Sequence, residues 1–220
     1  MDKYSLETGC PLTESQLNIY LDILANNKTD SYLIPLNITI PREYDVESLV
    51  DSIEKMFIVH PILNMRISEE FDSPYLVKCN NPSIIVKSEV SDEFGREFVT
   101  KPFDLEDSLC RFLILKNDEM YNLFAVFHHL IFDGLSSSVF EHDLFNVLNH
   151  KFIEFDDMFL KVPAFNEQIS ELEEFKLAGS FYESLLADAE DTGILLASVN
   201  PDGPGSHKID LDVSIGEFLE

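Results

Sequence analysis

Six histidines are spread along the 220 residues, and two of them stand side by side where imidazole chemistry is expected. His128 and His129 open the stretch His-His-Leu-Ile-Phe-Asp-Gly, which closes on Asp133 and Gly134 and directly follows the apolar run Leu123–Phe127. Alternation along an extended strand sends His128 to one face and His129 to the other, so one ring can be buried while its neighbour meets a cleft. Neutral imidazole, with an ordinary pKa of roughly 6.5, is suited to accept or guide the proton of an attacking amine during acyl transfer, and His129 can serve as that group. Asp133 could fix the local geometry through a buried salt bridge with an arginine, and Gly134 would allow a tight turn or close substrate approach. The same residues admit two other readings: satisfied core histidines in an apolar strand, or a metal site. Adjacent strand residues point apart and no His-x-His or Glu-rich pattern accompanies the pair, which argues against metal.

The elements that must position these residues are legible in the hydrophobic period. Leu17, Tyr20, Leu21 and Leu24 recur at helical spacing behind a Thr–Glu start, which predicts an amphipathic helix from Thr13 to Ala25. Leu33 to Ile40 reads as a strand. Asp45 caps a second helix through about Val59, with Val46, Leu49, Val50, Ile53 and Phe57 as its apolar stripe, ended by His60–Pro61. Short strands at Ile62–Ile67, Tyr75–Lys78 and Ile84–Lys87, separated by Pro, Asn and Ser clusters, predict a meander. Asp92 to Lys101 reads as a short helix, and Arg111–Lys116 with Tyr121–His128 as an antiparallel hairpin around Asn117–Asp118. A helix from Leu135 to about Leu148 follows, so the histidines lie at a strand-to-helix junction. One long helix is predicted from Pro163, in its first turn, to Asp188, and a last strand over Lys208–Val213. Strands mixed with covering helices imply a two-layer sandwich of α and β structure.

Composition narrows the function classes. A hydrophobic fraction of 45% with eighteen Phe describes a folded, aromatic-rich core. Fifteen basic against forty-one acidic residues give a formal charge of −26, a sign that repels phosphate backbones and anionic lipid headgroups, so neither nucleic acid nor a membrane is an expected partner. So much Asp and Glu reads as a solvated surface. Cys10, Cys79 and Cys110 are scattered, without C-x-x-C pairing, and indicate neither a disulfide framework nor a zinc knuckle. With no basic-then-apolar start and no membrane-length apolar run, a cytoplasmic location is expected.

Read together, these segments resemble the condensation domains of nonribosomal peptide synthetases. The family hallmark His-His-x-x-x-Asp-Gly stands here as His128, His129, Asp133 and Gly134, complete at every fixed position. Its surroundings agree: Lys101-Pro-Phe-Asp-Leu105, then Leu109-Cys-Arg-Phe112, then a hairpin into the histidines. Pro11-Leu-Thr-Glu-Ser-Gln16 is similar to the family's opening motif, in which a Gln follows a small residue at the start of the first helix, and Tyr20 fits its continuation. His60-Pro-Ile-Leu63 resembles the second motif, Arg-His-Glu-x-Leu-Arg-Thr, with Val59, Pro61, Asn64 and Met65 in place of the Arg, Glu, Arg and Thr. Because Asn64 stands where the family has an arginine, the resemblance leaves Arg111 or Arg66 as partner of Asp133, with Arg111 favoured. Phe165-Asn-Glu-Gln-Ile169 through Phe181-Tyr-Glu-Ser-Leu185 is similar to the long helix that closes the first subdomain.

The resemblance implies a chloramphenicol-acetyltransferase-like fold, a mixed sheet covered by helices. It implies that residues 1–188 form the N-terminal subdomain and 189–220 a crossover towards a C-terminal subdomain that this stretch does not include. It further implies amide formation between two carrier-protein-bound thioesters, with His129 catalytic, His128, Asp133 and Gly134 supporting it, and no metal or directly bound cofactor. Both substrates would ride on the phosphopantetheine of carrier proteins, with an adenylation domain and the C-terminal subdomain as further partners; the 220 residues alone would fold but not turn over. Other readings on the same residues are an epimerisation domain of the same superfamily, a coenzyme-A-dependent acyltransferase with His-x-x-x-Asp, a glycerolipid acyltransferase, and a non-catalytic module that recruits carrier proteins or enzymes.

Overall fold

The strand that ends in His128 lies inside a sheet, paired on both sides. In the computed structural model, which describes residues 3–26, 31–80 and 82–187, the elements run β1 (Cys10–Pro11), α1 (Glu14–Asn26), β2 (Leu33–Pro41), α2 (Val46–Val59), a 3-10 turn (Pro61–Asn64), β3 (Met65–Ser68), β4 (Tyr75–Lys78), β5 (Ile84–Lys87), α3 (Asp92–Thr100), β6 (Cys110–Lys116), β7 (Met120–His128), α4 (Gly134–Leu148), α5 (Met158–Glu171) and α6 (Glu173–Leu186). The larger sheet has the order β2-β7-β6-β5, antiparallel except for the parallel pair β5 and β6; the smaller, β1-β4-β3, is antiparallel throughout. The α+β arrangement expected from the sequence, a mixed sheet covered by helices, is the one the chain adopts. At Leu172 the chain divides into two compact units, and the histidine-bearing sheet lies in the first.

Burial follows the predicted periods. Asp45 accepts a hydrogen bond from the Ser48 N–H and starts α2, which buries Leu49, Ile53, Met56 and Phe57. Phe57 and Phe140 of α4 both rest on Phe112 of β6, with ring centroids 5.5 and 6.0 Å apart, so two helices cover one face of the larger sheet. Each such fully buried side chain stabilises the fold by about 1.5–3 kcal/mol.

The structure departs from the sequence reading at five places. Residues 62–64 form a 3-10 turn because Pro61 fixes the backbone at its first position and caps no strand. The three short strands are no meander: β4 pairs with β3 on one side and β1 on the other, while β5 joins the larger sheet beside β6. On α1 the buried side chains are Tyr20 and Ile23, and Leu21 and Leu24 are exposed. Pro163 is inside α5 rather than in a first turn; the Phe159 carbonyl, which its nitrogen cannot reach as a donor, accepts instead from the Cys10 thiol at 3.8 Å. Leu172, with φ −67° and ψ 142°, ends the expected long helix and starts α6, whose Glu173 and Glu174 suit a helix N-terminus. The expected strand at 208–213 and crossover at 189–220 lie outside the described residues.

One backbone position is demanding. Gly9 has φ +71°, its N–H donates to the Ser5 carbonyl at 2.8 Å, and a Cβ there would sit 2.2 Å from the Leu76 carbonyl oxygen of β4. Gly9→Ala is expected to cost at least about 1–2 kcal/mol from the left-handed conformation alone. Gly95→Ala, inside α3 where a new methyl meets only Val90 at 4.0 Å, is expected to stabilise by up to about 1 kcal/mol. Urea midpoints with unchanged slopes would register both.

Candidate active site

β7 delivers the two histidines to different environments. Its partner β2 is in register so that Leu33 lies opposite His128, and the pairing extends one step further when the His129 N–H donates to the Tyr32 carbonyl at 2.9 Å. His128 is 1% exposed, with Tyr32 and Phe103 rings 6.3 and 6.1 Å from its own. His129, the next residue, is exposed. The division predicted from strand alternation is the one observed.

His128 is held as a neutral ring. Its Nδ1 accepts from the Leu130 N–H at 3.1 Å, and its Nε2 has no hydrogen-bond partner. Burial, with a smaller contribution from neighbouring His129, pushes its pKa down to about 4. An unfolded chain protonates this residue as pH falls through about 6.5, whereas the folded chain resists until about 4, so the unfolded state binds more protons in that window. The stabilisation is complete above about 6.5 and is lost as pH falls towards 4. His128→Asn keeps an acceptor, Oδ1, for the Leu130 N–H and removes the titration. Urea midpoints from pH 7.5 to 4 are expected to show the wild type losing on the order of 3 kcal/mol more than the variant; parallel curves would refute the buried neutral ring.

The loop after β7 turns back over the sheet end. The Ile131 N–H donates to the His128 carbonyl at 3.0 Å, and the Phe132 ring stacks on Phe127 with centroids 3.8 Å apart. Asp133 then starts α4. Its carboxylate accepts from the Ser136 N–H at 2.8 Å and from the Ser136 hydroxyl at 2.7 Å, while Ser136 Oγ accepts from the Asp133 N–H at 3.2 Å, a reciprocal capping box. The backbone and side-chain donors of Ser136 hold the Asp133 carboxyl below the usual range.

The expected arginine partner of Asp133 is therefore corrected. Among the described residues Asp133 has no ion pair with Arg111 or Arg66; it is exposed and bonded to Ser136. Arg111 is registered opposite Val126, which places it on the sheet face of Val126 and His128, away from the α4 side. There its guanidinium stacks on Phe103 at 4.3 Å and donates to the carbonyls of Phe98 at 2.8 Å and Lys101 at 2.5 Å. Arg66 donates to the Ile67 carbonyl at 3.1 Å. Nor does Gly134 need to be glycine for its backbone: among the described glycines only Gly9 has positive φ, and a Cβ at 134 would meet nothing within 4 Å.

A cleft of about 340 Å³ gathers Thr13, Gln16, Ile62, His129, Asp133, Ser136 and Phe159 on its walls. Next to it a cavity of about 280 Å³ shares Ile62, Ile131, Phe132, Asp133 and Ser136 and is otherwise lined mainly by apolar side chains and by His60. His60 ends α2 and bonds Asp143 of α4 at 2.9 Å, a helix-end role. The structure thus brings His129 and Asp133 into one cleft, puts His128 behind it, and leaves both arginines outside it. Sequence reasoning missed Ser136, although Asp133-x-x-Ser136 has capping-box spacing, and missed the reach of Gln16 across to the loop. Chemically, an exposed imidazole at the rim of a half-apolar cleft, on a loop fixed by backbone hydrogen bonds, can exchange a proton with a bound group. Among the described residues, no group of three or more His, Cys, Asp or Glu side chains could hold a metal ion, and no helix is long and apolar enough to cross a membrane.

Comparison with known proteins places this chain in a family. The family described as "Condensation domain" matches residues 7–176. Surfactin synthase subunit 2 of Bacillus subtilis (strain 168) is 29% identical over an alignment of 147 positions that covers 61% of this chain and 4% of that protein; bacitracin synthase 1 of Bacillus licheniformis is 22% identical over an alignment of 156 positions that covers 64% of this chain and 3% of that protein. Among solved structures, the starter condensation domain of rhizomide synthetase superposes with a TM-score of 0.70 at 13% identity, covering 84% of this chain and 49% of that one. The first condensation domain of the calcium-dependent antibiotic synthetase, in complex with a substrate analogue, gives 0.66 at 16% identity, covering 84% and 51%. The chain spans about half the length of those solved domains and a small part of the curated relatives. With the family match extending over more than half of its residues, the chain belongs to the condensation domains of nonribosomal peptide synthetases.

Proposed function

We propose that this chain is the histidine-bearing half of an amide-forming acyltransferase that joins two carrier-bound substrates. The donor is an acyl or peptidyl thioester on one carrier protein and the acceptor the amine of an aminoacyl thioester on another, each on a phosphopantetheine arm supplied by its carrier. The acceptor nitrogen attacks the donor carbonyl, the new C–N bond forms and the C–S bond breaks. His129 guides the amine, takes its proton and returns it to the departing thiolate, so the step needs no added co-reactant. The observation that carries this reading is the exposed His129 ring at the rim of the cleft, one residue beyond a buried His128 and four before Asp133. His128 holds the loop through the Leu130 N–H, and Asp133 starts the helix whose Ser136 also lines the cleft. Gly134, with open space above it, admits close approach of a substrate.

The second half of a condensation domain, carrier proteins and an adenylation domain are the proposed partners. The 220 residues alone, presenting one wall of a shared cleft, are expected to give no turnover. The test uses an intact synthetase carrying this chain, with donor and acceptor carriers loaded with isotopically distinct groups. The joined product is expected on the acceptor carrier by intact mass. Absence of product with both carriers loaded would overturn the proposal, and inversion of the acceptor α-carbon without joining would assign epimerisation instead.

A further inference from the structure

Gln16 is the third residue of α1, and its side-chain amide is bonded at both ends. Oε1 accepts from the Thr13 backbone N–H and from the Thr13 hydroxyl, both at 2.9 Å, and the Gln16 N–H donates back to Thr13 Oγ1 at 3.4 Å. A backbone N–H can only donate, so the oxygen end of the amide must face Thr13 and the NH2 end must face away. That NH2 donates to the Leu130 carbonyl at 2.7 Å. Leu130 follows His129, and its own N–H is taken by His128 Nδ1. With the His129 N–H on the Tyr32 carbonyl and the Ile131 N–H on the His128 carbonyl, the peptides on both sides of His129 are fixed. A further tie on the C-terminal side, on the Leu130 carbonyl of the next peptide, comes from an element 114 residues away in sequence.

From this we infer that Gln16 is a positioning residue for His129: its amide holds the Leu130 carbonyl, in the second peptide after His129, and so braces the turn that aims the imidazole into the cleft both residues line. The inference rests on the reading of His129 as the group that handles the amine proton. Proton transfer requires heavy atoms within about 3 Å, and displacement of a reacting group by about 1 Å costs roughly 100-fold in rate. A helix cap that also ties down the catalytic loop couples the start of α1 to turnover without touching substrate.

Gln16→Glu is the discriminating variant. Its carboxylate still accepts from Thr13 and suits a helix N-terminus, but it sets an oxygen against the Leu130 carbonyl where a donor had been. In the intact synthetase kcat for amide formation is expected to fall about 10–100-fold, with KM for both loaded carriers within about twofold and an unchanged melting temperature. In the 220-residue chain the ring resonances of His129 are expected to move while those of His142 stay. Gln16→Met, which has neither donor nor charge, is expected to give the same kcat loss. Wild-type kcat and unmoved His129 resonances in both Gln16 variants, alongside an inactive His129→Ala, would overturn the inference. Full activity of His129→Ala would overturn the underlying reading instead, and the ring resonances would still decide whether Gln16 sets the position of His129.

Discussion

His129→Ala in an intact synthetase is expected to lower amide formation by about 10²–10⁴-fold while the protein folds as before. The size follows from removing the one imidazole on the cleft wall that can pass a proton between the attacking nitrogen and the leaving thiolate. The unchanged fold follows from its surroundings. His129 is exposed, and its structural bond runs from the backbone N–H to Tyr32, which alanine retains. Stability is therefore expected within about 0.5 kcal/mol of wild type. Single-turnover transfer between preloaded carriers reads the first quantity and a urea curve the second. Undiminished transfer by a folded variant would remove His129 from the mechanism.

The largest effect on stability is expected from Phe127→Ala, at about 3–5 kcal/mol. Phe127 is fully buried at the centre of an aromatic cluster. Phe132 stacks on it at 3.8 Å and 3°, Phe140 meets it edge-on at 5.3 Å and Phe112 at 5.6 Å. Truncation would leave a cavity that three rings on β6, α4 and the loop cannot fill together, since each is fixed by its own neighbours. For a chain of this size the melting temperature is expected to drop on the order of 10 °C or more. Phe152→Ala, at a ring 91% exposed, is expected to move it little. Phe127 and Phe132 bracket His129 in sequence, so the same truncation frees the loop between them. Hydrogen exchange at the amides of 129–131 is expected to accelerate even under conditions where the remainder of the sheet stays protected.

What the sequence disclosed about this fold was mostly local. The strands at Tyr75–Lys78 and Ile84–Lys87, the Asp45 cap, the hairpin into His128 and the split of the two histidines between interior and cleft all follow from alternation, capping and turn chemistry within a few residues. Pairing across long separations was not visible: nothing within Ile84–Lys87 marks it for a parallel place beside β6 rather than the next turn of a meander. The break at Leu172 carries no Gly or Pro to announce it. Asp133 is the instructive case. A family resemblance pointed to a distant arginine, whereas three residues downstream Ser136 offers two donors at almost no entropic cost, and the local bonds prevail. The register of Arg111 opposite Val126 had already turned that side chain to the other face.

The pairing of Leu33 with His128 also has a bearing on synthesis. A ribosome adding roughly 5–20 residues per second needs about 5–20 s after β2 emerges before β7 can follow it. During that interval nine residues rich in Leu and Ile have no partner, and the contact order of this sheet makes closure slow even once both strands are present. Nascent chains stalled before His128 should accordingly be the ones that holdase chaperones retain, and chains stalled some forty residues later should escape them.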